Sequence, residues 1–173
     1  MNLPNKLTVF RILCIPVFVI FLLADGITYN NYIAVAIFIL ASLTDFLDGK
    51  IARKYNLVTN FGKFMDPLAD KLLVSSALIC MIEMGMLPAW IVIIIISREF
   101  IITGFRLIAA EGGLVIAASW WGKIKTVTQM IMIILLLLGV QGIIATILIF
   151  LATLFTVISG VDYIVKNISI LRN

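Results

Sequence analysis

Four of the nine acidic residues in this chain, Asp45, Asp48, Asp66 and Asp70, stand close together in the string DFLDGKIARKYNLVTNFGKFMDPLAD. At about 100° per residue on a helix, Asp45, Asp48, Gly49 and Ala52 fall within roughly 100° of arc, one polar stripe on an otherwise apolar rod. Asp66 and Asp70, one turn apart, form a second stripe about 40° wide. Two helices facing each other through these stripes would gather carboxylates that repel one another in a low dielectric. A divalent cation removes that objection. The chain has no histidine and neither cysteine lies in this stretch, so the ligands would all be oxygens, which favours Mg²⁺ or Mn²⁺ over zinc. Such a cation commonly completes its shell with phosphate oxygens. Gly49 and Ala52 are small enough for a flat ligand to approach the helix backbone, and Arg53 follows with a guanidinium suited to bidentate phosphate contact. The outline is that of a nucleotide-diphosphate site.

A second group of residues carries the opposite charge. Arg98 and Arg106 in ISREFIITGFRLIAAEGG are eight apart, about 80° around a helix, so both can face one cavity. Basic groups inside an apolar segment are costly unless paired, which makes them functional candidates, and Glu99 is placed to orient an arginine. Lys123 and Lys125 follow in IAASWWGKIKTVTQ, with Trp120 and Trp121 as interfacial belt residues. With Lys63, these cations exceed what helix anchoring requires. They suit a phosphorylated, dianionic acceptor.

The acidic string matches D-x2-D-G-x2-A-R-x8-G-x3-D-x3-D at every fixed position and resembles the signature of the CDP-alcohol phosphatidyltransferases, integral membrane enzymes that move a phosphatidyl group from a CDP-lipid to an alcohol. The resemblance implies that the four aspartates hold one or two Mg²⁺ or Mn²⁺ ions against the diphosphate of CDP-diacylglycerol. It implies that Thr59 hydrogen-bonds the nucleotide, that Gly62 permits the turn aligning the second aspartate helix, and that Asp70 takes the proton from the acceptor hydroxyl. The opening NLPNxLTxxR pattern and the segments SREFxxxGxR and IAASxxGKxKTxxQ resemble the glycerol-phosphate branch of that family. By that likeness Thr8 and Arg11 help hold the diphosphate, and the acceptor is sn-glycerol 3-phosphate. The products are then phosphatidylglycerol phosphate and CMP. Direct transfer is preferred to a covalent enzyme intermediate, because no activated serine or cysteine stands near the carboxylates. The likeness covers nearly the whole chain and is weakest in its last span.

The elements that must position these residues are membrane helices. The 173 residues are 63% hydrophobic and only 13% charged, with a mean hydropathy of +1.20, a composition that no water-soluble fold could hide inside itself. Counting apolar stretches of about 20 residues gives an all-α membrane protein of six transmembrane helices at roughly 8–24, 31–52, 66–84, 87–110, 124–140 and 143–166, in one domain spanning 1–173. Breaks fall at Asp25-Gly26, Asn56 to Gly62, Gly85 to Pro88, Glu111 to Gly113 and Gly139 to Gly142. Leu3, Leu7 and Phe10 with Lys6 and Arg11 suggest a short N-terminal interfacial helix feeding the first span. The same segment could be mistaken for a signal peptide; Arg11 within its apolar run argues against that. Pro67 suits the first turn of the third helix.

With those spans, all thirteen Lys and Arg fall at one side, and the opposite loops hold only Asp25 and Glu83. The positive-inside rule makes that basic side, with both termini and the active site, cytoplasmic in a multi-pass cell-membrane protein. The net charge of +4 would hold that surface against anionic lipid of the bilayer. Basic residues dispersed among spans make nucleic acid a poor partner. Cys14 and Cys80 read as small buried hydrophobes, and the last two spans read as packing helices, a possible homodimer interface among their roles. Three rival readings share some of these features. A sister transferase making cardiolipin or phosphatidylinositol phosphate would differ only in its acceptor pocket. A prenyltransferase holding Mg-diphosphate would lack the DGxxAR nucleotide segment. A cation transporter would place its acids midway in the spans rather than near their cytoplasmic ends.

Overall fold

The computed structural model describes residues 2–24, 26, 29–54, 60–111, 116 and 119–168, with the side chains at 3–4, 45–54, 60–64 and 111 excepted. Six helices account for nearly all of these: α1 (Leu3–Leu23), α2 (Asn30–Lys54), α3 (Asn60–Glu83), α4 (Ala89–Glu111), α5 (Trp120–Leu137) and α6 (Gly142–Asn167). No strand occurs among the described residues. The chain forms two compact units, Met1–Met84 and Gly85–Asn173.

In the first unit α1 packs on both α2 and α3. It starts where the side chain of Asn2 accepts a hydrogen bond from Asn5 N at 3.1 Å, with Pro4 in the first turn, where a missing N–H costs nothing. The interfacial helix expected before the first span is continuous with it: one 21-residue helix serves both. Its end is tied down by Asn30, whose Nδ2 donates to Ala24 O at 2.9 Å. The core alternates large and small. Phe18 and Phe38 meet at 5.8 Å between ring centroids, while Ala34, Ala41, Ala69 and Ala77, all fully buried, let the helix backbones approach. Leu22, Leu73, Leu78 and Met81 fill the remaining space.

The sequence places Pro67 in the first turn of the third helix; the structure starts α3 at Asn60, so Pro67 lies inside it. The helix forgoes the hydrogen bond that the residue-67 N–H would have made, a loss it survives near its own beginning. Gly62 and Lys63 accordingly belong to the first turn of α3 rather than to a loop.

In the second unit α6 packs against both α4 and α5. The α5–α6 hairpin closes through Gly139, whose φ of +89° is left-handed and favours glycine; Leu138 N and Gly139 N donate to Ile134 O and Leu136 O at 3.0 and 2.9 Å. Trp121 and Phe155 stack across the hairpin at 6.2 Å. α5 begins four residues before its expected start because Ser119 caps it, its Oγ accepting from Gly122 N at 3.1 Å. Along α4 and α6, Arg98 meets Gly160 and Phe105 meets Tyr163. The contacts therefore advance in the same direction, the relation that alternate spans of a serpentine chain must have.

The outside of both units is apolar. Leu13, Ile20, Leu40, Ile93 and Phe150 are 61–64% exposed, a surface that lipid solvates and water does not. Among the described residues, α1 from Asn5, α5 and α6 are long and apolar enough to cross a membrane, and α2 contributes a shorter apolar stretch, Asn30–Thr44. The protein is an all-α membrane protein. Both cysteines are free, Cys80 buried and Cys14 partly so.

Candidate active site

The first unit assembles the acidic part of the site from one end of its helices. α2 ends at Lys54 and α3 begins at Asn60, so the short connection puts the last turns of α2, which carry Asp45 and Asp48, at the same end as the first turns of α3. The side chains of Asp45, Asp48, Gly49, Ala52, Arg53, Gly62 and Lys63, and the whole of Thr59, lie outside the described residues.

Asp66 and Asp70 are half-buried, one helical turn apart on α3. From α1 the hydroxyl of Thr8 donates to Asp66 Oδ1 at 2.5 Å, a charge-assisted bond at the short end of its class. Thr8 and Arg11 are both 0% exposed, and three residues apart they share a face of α1. A fully buried arginine on that face is not the interfacial anchor that its place near the N-terminus allows; snorkelling would leave its head in water. The donor set is two carboxylates and a hydroxyl, all hard oxygens at one end of the unit, which fits a divalent cation of the Mg²⁺ type. Among the described residues no three acidic or other metal-ligating side chains cluster, so Asp45 and Asp48 would have to complete such a site.

The second unit divides the basic residues between two environments. Arg98 Nη1 lies 3.7 Å from Glu99 Oε1, and the same carboxylate oxygen is ion-paired with Lys125, whose side chain is 3% exposed. Glu99 thus links α4 to α5 and orients Arg98. Lys123 faces outward, its ammonium 5.8 Å from the centroid of the Trp120 ring. Helical geometry explains the separation: residues two apart point about 200° from each other, so Lys123 and Lys125 cannot face one pocket from α5. Arg106, two turns beyond Arg98, is exposed on α4.

Two glycines border Arg98. A Cβ built on Gly160 of α6 would meet Arg98 Cγ at 3.3 Å, and one on Gly122 of α5 would lie 3.6 Å from Arg98 Nη2. The side chain therefore runs between the α6 backbone and the capped start of α5. Sequence reading treats α6 as packing only; the signal it passes over is the polar interruption SGVDY late in an apolar run.

The Glu99–Lys125 pair supplies a stability prediction. Lys125→Met leaves the Glu99 carboxylate only its longer contact with Arg98 and should destabilise the protein by about 1–3 kcal/mol. Pairing it with Glu99→Gln should recover part of that loss, since neither charge of the pair then remains and only Arg98 loses its carboxylate neighbour. Thermal unfolding of the purified single and double variants in detergent reads both effects, and equal losses for the two would remove the pair's structural role.

Residues 1–158 match the family model for CDP-alcohol phosphatidyltransferase. A Bacillus subtilis protein named CDP-diacylglycerol--glycerol-3-phosphate 3-phosphatidyltransferase is 49% identical, over 96% of this chain and 95% of its own length. Proteins of the same name from Haemophilus influenzae and Rickettsia felis are 42% and 39% identical, each over 94% of this chain and 91% and 93% of their own lengths. A match that spans both units, with relatives up to 49% identical over nearly the whole chain, means that the chain belongs to the CDP-alcohol phosphatidyltransferase family.

Proposed function

We propose that this protein transfers the phosphatidyl group of CDP-diacylglycerol to sn-glycerol 3-phosphate, giving phosphatidylglycerol phosphate and CMP. The observation that supports this reading is the Thr8–Asp66 contact, which ties one carboxylate of the Asp66–Asp70 pair to the face of α1 that also carries the buried Arg11. The names of relatives up to 49% identical support the choice of substrates.

Asp45, Asp48, Asp66 and Asp70 would hold one or two divalent cations, Mg²⁺ or Mn²⁺; when bound, these supply charge neutralisation of the diphosphate and so make CMP a better leaving group. Arg11 and Arg53 add fixed positive charge to the same oxygens, and Thr8 holds Asp66 in place. Gly49 and Ala52 leave room for the cytidine, with Thr59 as its hydrogen-bonding partner and Gly62 setting the start of α3. Asp70 accepts the proton of the acceptor hydroxyl as its oxygen attacks phosphorus. The bond from phosphorus to the CMP oxygen breaks, and CMP carries away the electron pair. Arg98 and Arg106 hold the acceptor's phosphate, with Lys63 and Lys123 raising the local positive potential and Lys125 acting mainly through Glu99.

The whole chain acts as one catalytic domain in the cell membrane. It crosses six times, with both termini and the aspartates on the cytoplasmic side, where the water-soluble acceptor is found. The exposed apolar faces of α5 and α6 suit a homodimer. Presenting the purified protein with CDP-diacylglycerol and, in parallel, sn-glycerol 3-phosphate, glycerol or inositol phosphate tests the acceptor. Efficient turnover with glycerol 3-phosphate alone is expected, and equal use of plain glycerol would overturn the assignment.

A further inference from the structure

α6 buries one face, formed by Ala152, Thr156, Ser159, Gly160 and Tyr163, and most of its polar groups are satisfied within the helix. Thr156 Oγ1 donates to Ala152 O at 2.7 Å and Ser159 Oγ to Thr156 O at 3.0 Å. Tyr163 differs. Its side chain is 3% exposed, yet its hydroxyl has no hydrogen-bond partner among the described residues. A buried phenol normally finds one, because an unmet hydroxyl loses its water without replacement.

The charges that act on that hydroxyl are positive. Tyr163 interacts electrostatically with both Arg98 and Arg106, the two arginines assigned above to the acceptor. Phe105 holds the ring edge-on, at 6.5 Å between centroids and 88° between planes, so the phenol is fixed in place. One turn earlier Gly160 gives Arg98 its seat against α6, and Arg98 Nε also lacks a partner among the described residues. The neighbouring Asp162 is turned to Lys166, Oδ1 to Nζ 2.6 Å, which offsets its charge. Tyr163 O–H and Arg98 Nε–H, both buried and without a partner among the described residues, are the donors a tetrahedral oxyanion would use there, with the exposed Arg106 adding positive charge.

We propose that Tyr163 is a further acceptor-binding residue, its hydroxyl donating to the phosphate of the acceptor alongside Arg98, with Gly160 as the residue that positions that arginine. This rests on the acceptor reading given under Proposed function. It assigns to α6 a part in choosing a phosphomonoester over an uncharged alcohol.

The test is Tyr163→Phe, which keeps the ring and its contact with Phe105. The KM for sn-glycerol 3-phosphate should rise about 10-fold or more, the loss of one hydrogen bond to a charged group, with kcat and the KM for CDP-diacylglycerol little changed. Inorganic phosphate, as a competitive inhibitor against glycerol 3-phosphate, should weaken by a similar factor. Without acceptor the variant's unfolding midpoint should equal or exceed that of the unmodified protein, because an unmet hydroxyl has been removed; added glycerol 3-phosphate should raise it less. An unchanged KM for glycerol 3-phosphate, or equal losses for both substrates with a lowered midpoint, would overturn the role of Tyr163. Those results leave the acceptor reading intact as long as the unmodified enzyme uses glycerol 3-phosphate. Failure of the unmodified enzyme to do so would instead remove the reading on which the role depends.

Discussion

Asp70→Asn should lower turnover by at least about 100-fold while leaving the protein folded. The change keeps the size of the side chain and one acceptor oxygen, but an amide cannot take a proton from the attacking hydroxyl, and general-base catalysis is commonly worth 10² to 10⁴. Asp70 is half-buried and its helix is held by the fully buried Ala69 and Leu73 on the core face, so loss of its charge should not disturb packing. Initial rates at saturating CDP-diacylglycerol and glycerol 3-phosphate measure the effect. A variant within a few-fold of the unmodified rate would show that another group, or water, takes the proton.

Removal of divalent cations should have an effect of similar size. Carboxylates brought from α2 and α3 to one site would repel one another, and the diphosphate of the donor would bring further negative charge to the same place. Arg11 is fully buried on α1, but one or two guanidinium groups would not offset four carboxylates and a diphosphate. A chelator should therefore reduce turnover by at least about 100-fold, equivalent to several kcal/mol of lost charge stabilisation. Mg²⁺ or Mn²⁺ added in excess should restore it. Activity that persists in chelator after dialysis would mean that the aspartates serve as partners for Arg11 and Arg53 and not as metal ligands.

The parts of this molecule legible in its sequence are those fixed by local chemistry. Apolar length and glycine breaks place all six helices, the one-turn spacing of Asp66 and Asp70 marks them as a pair, and the family resemblance adds Thr8 and Arg11; the structure brings Thr8 to Asp66 across fifty-eight positions. Helix starts are less legible, because they depend on which of several weak signals prevails. Ser119 capping moves the start of α5 to Trp120, and α3 runs through Pro67 from Asn60, where proline taken alone suggests a first turn. Pairing across helices is least legible of all. Lys123 and Lys125 look alike in the sequence, yet one stacks on Trp120 and the other is buried on Glu99. Nothing in α6 announces that Gly160 is where Arg98 lies, since a glycine in an apolar helix has many uses and only the facing side chain tells which.

The most direct measurement is CMP release from CDP-diacylglycerol by the purified protein in sealed vesicles, followed with and without sn-glycerol 3-phosphate and with and without Mg²⁺. CMP should appear in equal amount with phosphatidylglycerol phosphate, and only when acceptor and metal are both present. CMP released at the same rate without acceptor would make the protein a hydrolase. Movement of the metal into the vesicles with no CMP at all would make the aspartates a transport path, and either result would contradict transfer of the phosphatidyl group.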